Sequence, residues 1–178
     1  MCSRRFTAVV LMVSCVLALA GCSGDDSTSA SPKPSQSSVS ADVSDFPEIP
    51  GFSYKGLSPA EFKQLNSALA KTPQINGVDA KFATKDGKEA GLVMRVAIPP
   101  ETAGLEGFEE QFVPGMLAGI AQSSTTPTQE DINGTKVFTI ALANQTGAAY
   151  AWLEGSIATV LVFKDSADAE TFAQAALA

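Results

Sequence analysis

Two apolar-rich runs, Val78 to Thr84 and Ala90 to Ile98, are joined through Lys85-Asp86-Gly87-Lys88. An Asp-Gly pair takes positive φ at both central positions cheaply, so this spacing predicts a tight β-hairpin. Pro99-Pro100 stops the second strand. Three further runs, Thr135 to Ala143, Ala148 to Glu154 and Ile157 to Lys164, have strand length and β-branched or aromatic content. The turns expected between them are Asn144-Gln145-Thr146-Gly147 and Gly155-Ser156. Phe138, Ile140 and Leu142 alternate with more polar neighbours, giving that strand an apolar face.

Helical spacing marks three other segments. Ser58-Pro59-Ala60-Glu61 is a capping box with proline at the first helical position. It opens a helix to about Lys71, with Phe62, Leu65 and Leu69 on one face and Pro73 beyond its end. A second helix is expected over Leu105 to Gln122, kinked or reset by Pro114. A third starts at Asp165 or Ser166, with Ala169, Phe172, Ala173, Ala176 and Leu177 as its apolar stripe. The sequence therefore predicts an α+β fold: an antiparallel sheet of about five strands, with two or three helices covering one side. Phe46 to Phe52 reads as an extended lead-in whose prolines block helix.

An internal echo overlays this order. Ile75-Asn76-Gly77 and Ile132-Asn133-Gly134 lie 57 residues apart, each after a helix and a Thr-Pro pair and each before a strand. It signals either a tandem α-β-β duplication or a coincidence of turn chemistry.

Composition removes much familiar chemistry. The chain has no histidine, which excludes His-dependent triads, His-ligated zinc and the usual neutral-pH proton switch. Its three cysteines, Cys2, Cys15 and Cys22, all precede the tract expected to fold, so no disulfide or catalytic thiol is expected there. No Gly-x-Ser-x-Gly elbow, Ser-x-x-Lys motif or Gly-rich phosphate loop occurs in that tract. No cofactor is expected, and no metal.

The N-terminus has its own logic. Arg4 and Arg5 precede an apolar stretch, Phe6 to Ala20, that is too short to span a bilayer, and Leu19-Ala20-Gly21-Cys22 closes it. This pattern resembles bacterial lipoprotein signal peptides of the cell envelope, in the Gram-positive, high-GC manner. The resemblance implies cleavage between Gly21 and Cys22 and acylation of Cys22. Two or more acyl chains would hold the protein stably on the extracytoplasmic face of the membrane. Residues 1–21 are thus the expected signal, and 22–45 a lipidated cysteine with a Ser-rich tether. That tether lacks the apolar surface to offset ordering and would average about 25–30 Å end to end. Residues 46–178 are the expected single domain.

Loss of Arg4 and Arg5 leaves ten Lys and Arg against nineteen Asp and Glu, a balance of −9. Such a domain is repelled by phosphate backbones, so no nucleic-acid partner is expected.

Few side chains stand out as candidate chemistry. Glu109-Glu110 and Glu130-Asp131 are adjacent carboxylates, better explained as solvated charges than as acid/base pairs or calcium ligands. Arg95, the only arginine after the signal, is expected to pair with a carboxylate across the sheet, the alternative being an anionic ligand. Tyr150 and Trp152 share a strand face, with Glu154 next along it. They form either an aromatic shelf for a ligand or a half-buried pair under a helix. In the second helix Phe108, Phe112, Met116, Leu117 and Ile120 make an apolar side, while Gly115, Ala118 and Gly119 leave the other small and uncharged. That helix is either central core or a contact surface.

The functional expectation is a membrane-anchored, non-catalytic binding module for an envelope protein or an apolar small molecule. Its contact residues would be Gly115, Ala118, Gly119, Tyr150 and Trp152. At fold level the strand-rich half resembles lipoproteins that hold apolar ligands between a curved sheet and helices. The alternative is a carboxylate-dependent enzyme on a cell-wall glycan, with a pair such as Glu110 and Glu154 flanking a groove.

Overall fold

Asp86 and Gly87 adopt φ of 51° and 70°, the conformation of the two-residue turn the Asp-Gly pair predicts. They join β2 (Gly77–Lys85) to β3 (Lys88–Ala97), paired antiparallel from Gly77 opposite Ala97 to Lys85 opposite Lys88, with a bulge at Ala83/Thr84. This computed structural model describes residues 42–69, 74–121, 125–143 and 146–178. The signal segment, the lipobox with Cys22, most of the tether, Lys71, Pro73 and the Asn144-Gln145 turn lie outside them.

The remaining strands are β1 (Ser53–Gly56), β4 (Thr128–Ile132), β5 (Thr135–Ala141), β6 (Ala148–Glu154) and β7 (Ile157–Phe163). All seven form one antiparallel sheet in the order β1-β2-β3-β7-β6-β5-β4, so the last strand lies at its centre. The α+β class with an antiparallel sheet is as the sequence predicts, but seven strands replace about five. β1 and β4 are the additions, and both are edges. β1 has only four residues, and β4, Thr-Gln-Glu-Asp-Ile, is exposed along nearly its whole length with no alternation to betray it. Shortness and charge are what keep open edges from pairing with other chains.

The helices are α1 (Pro59–Leu69), the one-turn α2 (Pro100–Ala103), α3 (Phe108–Ala121) and α4 (Ser166–Ala176). The capping box closes as expected: Ser58 N–H and Oγ donate to Glu61 Oε2 at 2.8 and 2.6 Å, and Glu61 N–H donates back to Ser58 Oγ at 3.4 Å. Asp165 caps α4, its Oδ1 accepting from the N–H groups of Ala167 and Asp168 at 3.0 and 3.1 Å. Pro114 does not divide α3, which runs unbroken from Phe108 to Ala121.

The helices do not share one side of the sheet. Even-numbered residues of β3 and β7, such as Met94, Val96, Ala158 and Val160, join Leu65 and Leu69 of α1 and Val113, Leu117 and Ala121 of α3 in one core. Odd-numbered residues, Val93, Leu161 and Phe163, join Tyr150, Trp152 and α4 residues Ala169, Phe172 and Ala173 in a second core. Burial of both faces follows from β6 and β7, whose Ala-Ala-Tyr-Ala-Trp-Leu and Ile-Ala-Thr-Val-Leu-Val-Phe runs are apolar on both parities. The lead-in completes the second layer. Phe46 and Ile49 are buried, Tyr54 Oη donates to the Pro47 carbonyl at 2.7 Å, and the Lys81 ammonium sits 4.2 Å from the Phe46 ring centre.

The two Ile-Asn-Gly triplets occupy different places. Asn76-Gly77 enters β2, with Asn76 N–H donating to Ala97 O, whereas Asn133 and Gly134, at φ of 53° and 84°, are the hairpin turn between β4 and β5. Both triplets thus lead directly into a strand, but only the second forms a turn, and only it follows a strand, β4.

Candidate functional site

Along α3 the fully buried residues Val113 and Leu117, with Ala121 nearly so, repeat at i, i+4 and i+8, and they seat the helix on β5 and β6. At 100° per residue, Gly115 and Gly119 then fall on the side turned away from the sheet. A methyl group built on either glycine would meet nothing within 4 Å. Gly115 is exposed, while Ala118, Gly119, Met116 and Phe112 are half-buried. The second expected helix is thus open on its small-residue side and is not a central core helix. One detail differs from expectation: Phe108 and Phe112 do not lie opposite the glycines but flank them, stacked on each other at 4.9 Å between ring centres and 17° between planes.

Just before α3, Leu105 is 61% exposed, one of two large hydrophobic side chains classed as exposed among the described residues; Phe62 is the other. From Gln111 to Ala121 the helix carries no charge. Leu105, Phe108, Phe112, Gly115, Met116 and Gly119 thus form an uncharged stripe in which Leu105 and Gly115 are exposed, while Phe108, Phe112 and Met116 are half-buried and also pack against the first core. The α3 N-terminus is held down electrostatically. Lys136 Nζ lies 2.6 Å from Glu110 Oε1 and 3.3 Å from Glu109 Oε2. The hydrogen bond from Lys136 lowers the Glu110 pKa, and that same bond raises the Lys136 pKa.

Tyr150 and Trp152 are not an open shelf. They are 8% and 1% exposed within the second core, because α4 covers the face of β6 from which they project. Burial raises the Tyr150 pKa. Trp152 Nε1–H donates to Glu154 Oε2 at 2.9 Å, so Glu154 lies on the α4 side of the sheet. Glu110, bonded to Lys136, lies on the α3 side. The sheet separates the two carboxylates, so this pair cannot flank one glycosidic bond.

Arg95 does not form the expected ion pair: its Nη1 donates to the main-chain carbonyls of Asp45 and Asp42 and so fastens the lead-in to β3. Two clefts open on the α4 side. One is lined by Arg95, Trp152, Glu154, Thr159 and the lead-in, the other by Glu130, Asp131, Asn133, Glu170 and Gln174. Neither is an apolar chamber of the kind the fold-level resemblance implied. Among the described residues no group of three or more Asp, Glu, His or Cys is placed to hold a metal ion, and no helix is long and apolar enough to cross a membrane. Compared with family models, with curated proteins and with solved structures, the chain matches none.

Proposed function

We propose that this protein is a lipid-anchored, extracytoplasmic binding module, tethered through acyl chains on Cys22, whose α3 stripe docks an envelope protein. The observation that carries the reading is the open, uncharged side of α3 around Gly115 and Gly119. A monomeric helix that faced only water would carry Lys or Glu there, and contiguous apolar surface of this kind marks contact sites. The partner is a protein rather than an apolar small molecule because the stripe is convex helix surface, and both clefts carry charged side chains in their walls. Glycines let another backbone approach closely, which suits a partner helix or strand.

The test is a photo-crosslinking residue at Leu105, the most exposed residue of the stripe, in the full chain in its native membranes. It should give one adduct of discrete mass, and adding Ala118→Glu should abolish that adduct while leaving the melting temperature nearly unchanged, since half-exposed substitutions cost little. A diffuse pattern of adducts, or one indifferent to Ala118→Glu, refutes docking through α3.

A further inference from the structure

The first of the two clefts, about 180 Å³, lies on the opposite side of the sheet from α3, between the Asp45–Pro47 lead-in and Ala176 in the last turn of α4. Its floor is a cross-strand row: Arg95 on β3 stands opposite Thr159 on β7, which stands opposite Trp152 on β6. Thr159 is the one buried polar residue among those described, at 4% exposure. Its hydroxyl has no protein partner there, yet it is not sealed from solvent, so it faces the cleft. That hydroxyl, open to the cleft, is free to bond a ligand there.

The charges around it are held apart. Arg95 uses Nη1 on the lead-in carbonyls, while its Nε and Nη2 have no acceptor among the described residues. Asp45 and Glu154 line the same cleft, yet neither comes within ion-pairing distance of the guanidinium, as the four ion pairs of the described residues all use lysine. Glu154 spends Oε2 on the Trp152 indole and keeps Oε1. Asp79, opposite Arg95 in register, turns its Oδ1 to the Ala80 N–H. Arg95 thus offers charged donors at one end of the row and Glu154 a charged acceptor at the Trp152 end, with Asp45 beside the guanidinium that holds its carbonyl.

We infer that this cleft binds a small zwitterion of the α-amino-acid type, its carboxylate on Arg95 and Thr159 and its ammonium on Glu154 and Asp45. Guanidinium and carboxylate match in geometry, and bonds between ionised partners are the strong ones. A neutral polyol would leave Glu154 without a counter-charge. The volume equals that of about six waters, enough for a small amino acid.

The chain has one tryptophan, so its indole N–H resonance reports this cleft alone. With the full chain in detergent, L-alanine should shift that resonance saturably. Acetate and methylammonium, each carrying one half of the charge pattern, should bind at least about tenfold more weakly. Glu154→Gln, which retains an oxygen for the indole, should weaken alanine by about tenfold, and Thr159→Val should weaken it less, both with unchanged melting temperature. No shift with alanine up to its solubility, a shift with glucose instead, or binding indifferent to both variants overturns the assignment.

Discussion

Replacing Gly115 and Gly119 together by alanine tests whether the outer side of α3 is open. Both lie inside an α-helix, where glycine is less favourable than alanine by about 0.5–1 kcal/mol because its backbone loses more freedom on folding. A Cβ at either position meets no atom within 4 Å, so no clash offsets that gain. The pair should stabilise the free protein by about 1–2 kcal/mol. At a size between the small and mid-sized domains for which such shifts are known, this corresponds to about 3–10 °C in melting temperature. Thermal unfolding followed by circular dichroism at 222 nm checks it, with the single variants used to verify additivity. A fall in melting temperature would mean that the added methyls strike something and that α3 is covered. The glycines also have a cost in the free protein that a close-fitting partner would offset. The stabilised double variant should therefore lose the Leu105 crosslink, and a variant both more stable and equally well docked would show that close backbone approach is not why those positions are small.

Phe172→Ala should cost about 3–5 kcal/mol in chemical denaturation, since its fully buried ring packs 5.2 Å from both Phe52 and Phe163; a cost below about 1 kcal/mol would mean that α4 does not hold the second core. Glu110 titrates at lower pH in the folded chain than its ordinary value of 4.5, so its contribution to stability is present above that value and lost as pH falls through the depressed one. Lys136→Met should remove that contribution and move the acid-unfolding midpoint to higher pH, whereas an unchanged acid limb would make the pair inert. Cys22→Ser should release the protein from the membrane fraction; a variant retained there as a processed chain would refute acyl anchoring through Cys22.

Where a residue's role is local, the sequence announces it. The Ser58–Glu61 box, the Asp165 cap and the Asp86-Gly87 turn are each decided within four residues, and each forms as its chemistry requires. The edges are different. Nothing in Thr-Gln-Glu-Asp-Ile favours a strand, and β4 exists because the turn at Asn133-Gly134 returns the chain alongside a strongly apolar β5. Similarly, Ser53–Gly56 becomes a strand by lying against β2 after Phe46 and Ile49 are buried upstream. Arg95 reads as half of an ion pair because charge is visible in a sequence, whereas the main-chain carbonyls it meets are not.

The side of the sheet that a helix covers is also a tertiary choice, yet one signal for it was present. The stripe Ala169-Phe172-Ala173 fits either face equally well, but β6 and β7 are apolar on both parities, and a sheet with water on one side cannot tolerate that at its centre. Once α4 and the lead-in cover the odd-numbered face, Tyr150 and Trp152 become core, and the partly polar row Arg95-Thr159-Trp152 is left at the margin of that layer as a cleft. Once α1 and α3 cover the even-numbered face, the strands have no open apolar face left to offer a partner. Burying both faces of the sheet is what shifts the open apolar surface from the strands to α3, and it leaves that helix as the natural place for a macromolecular contact.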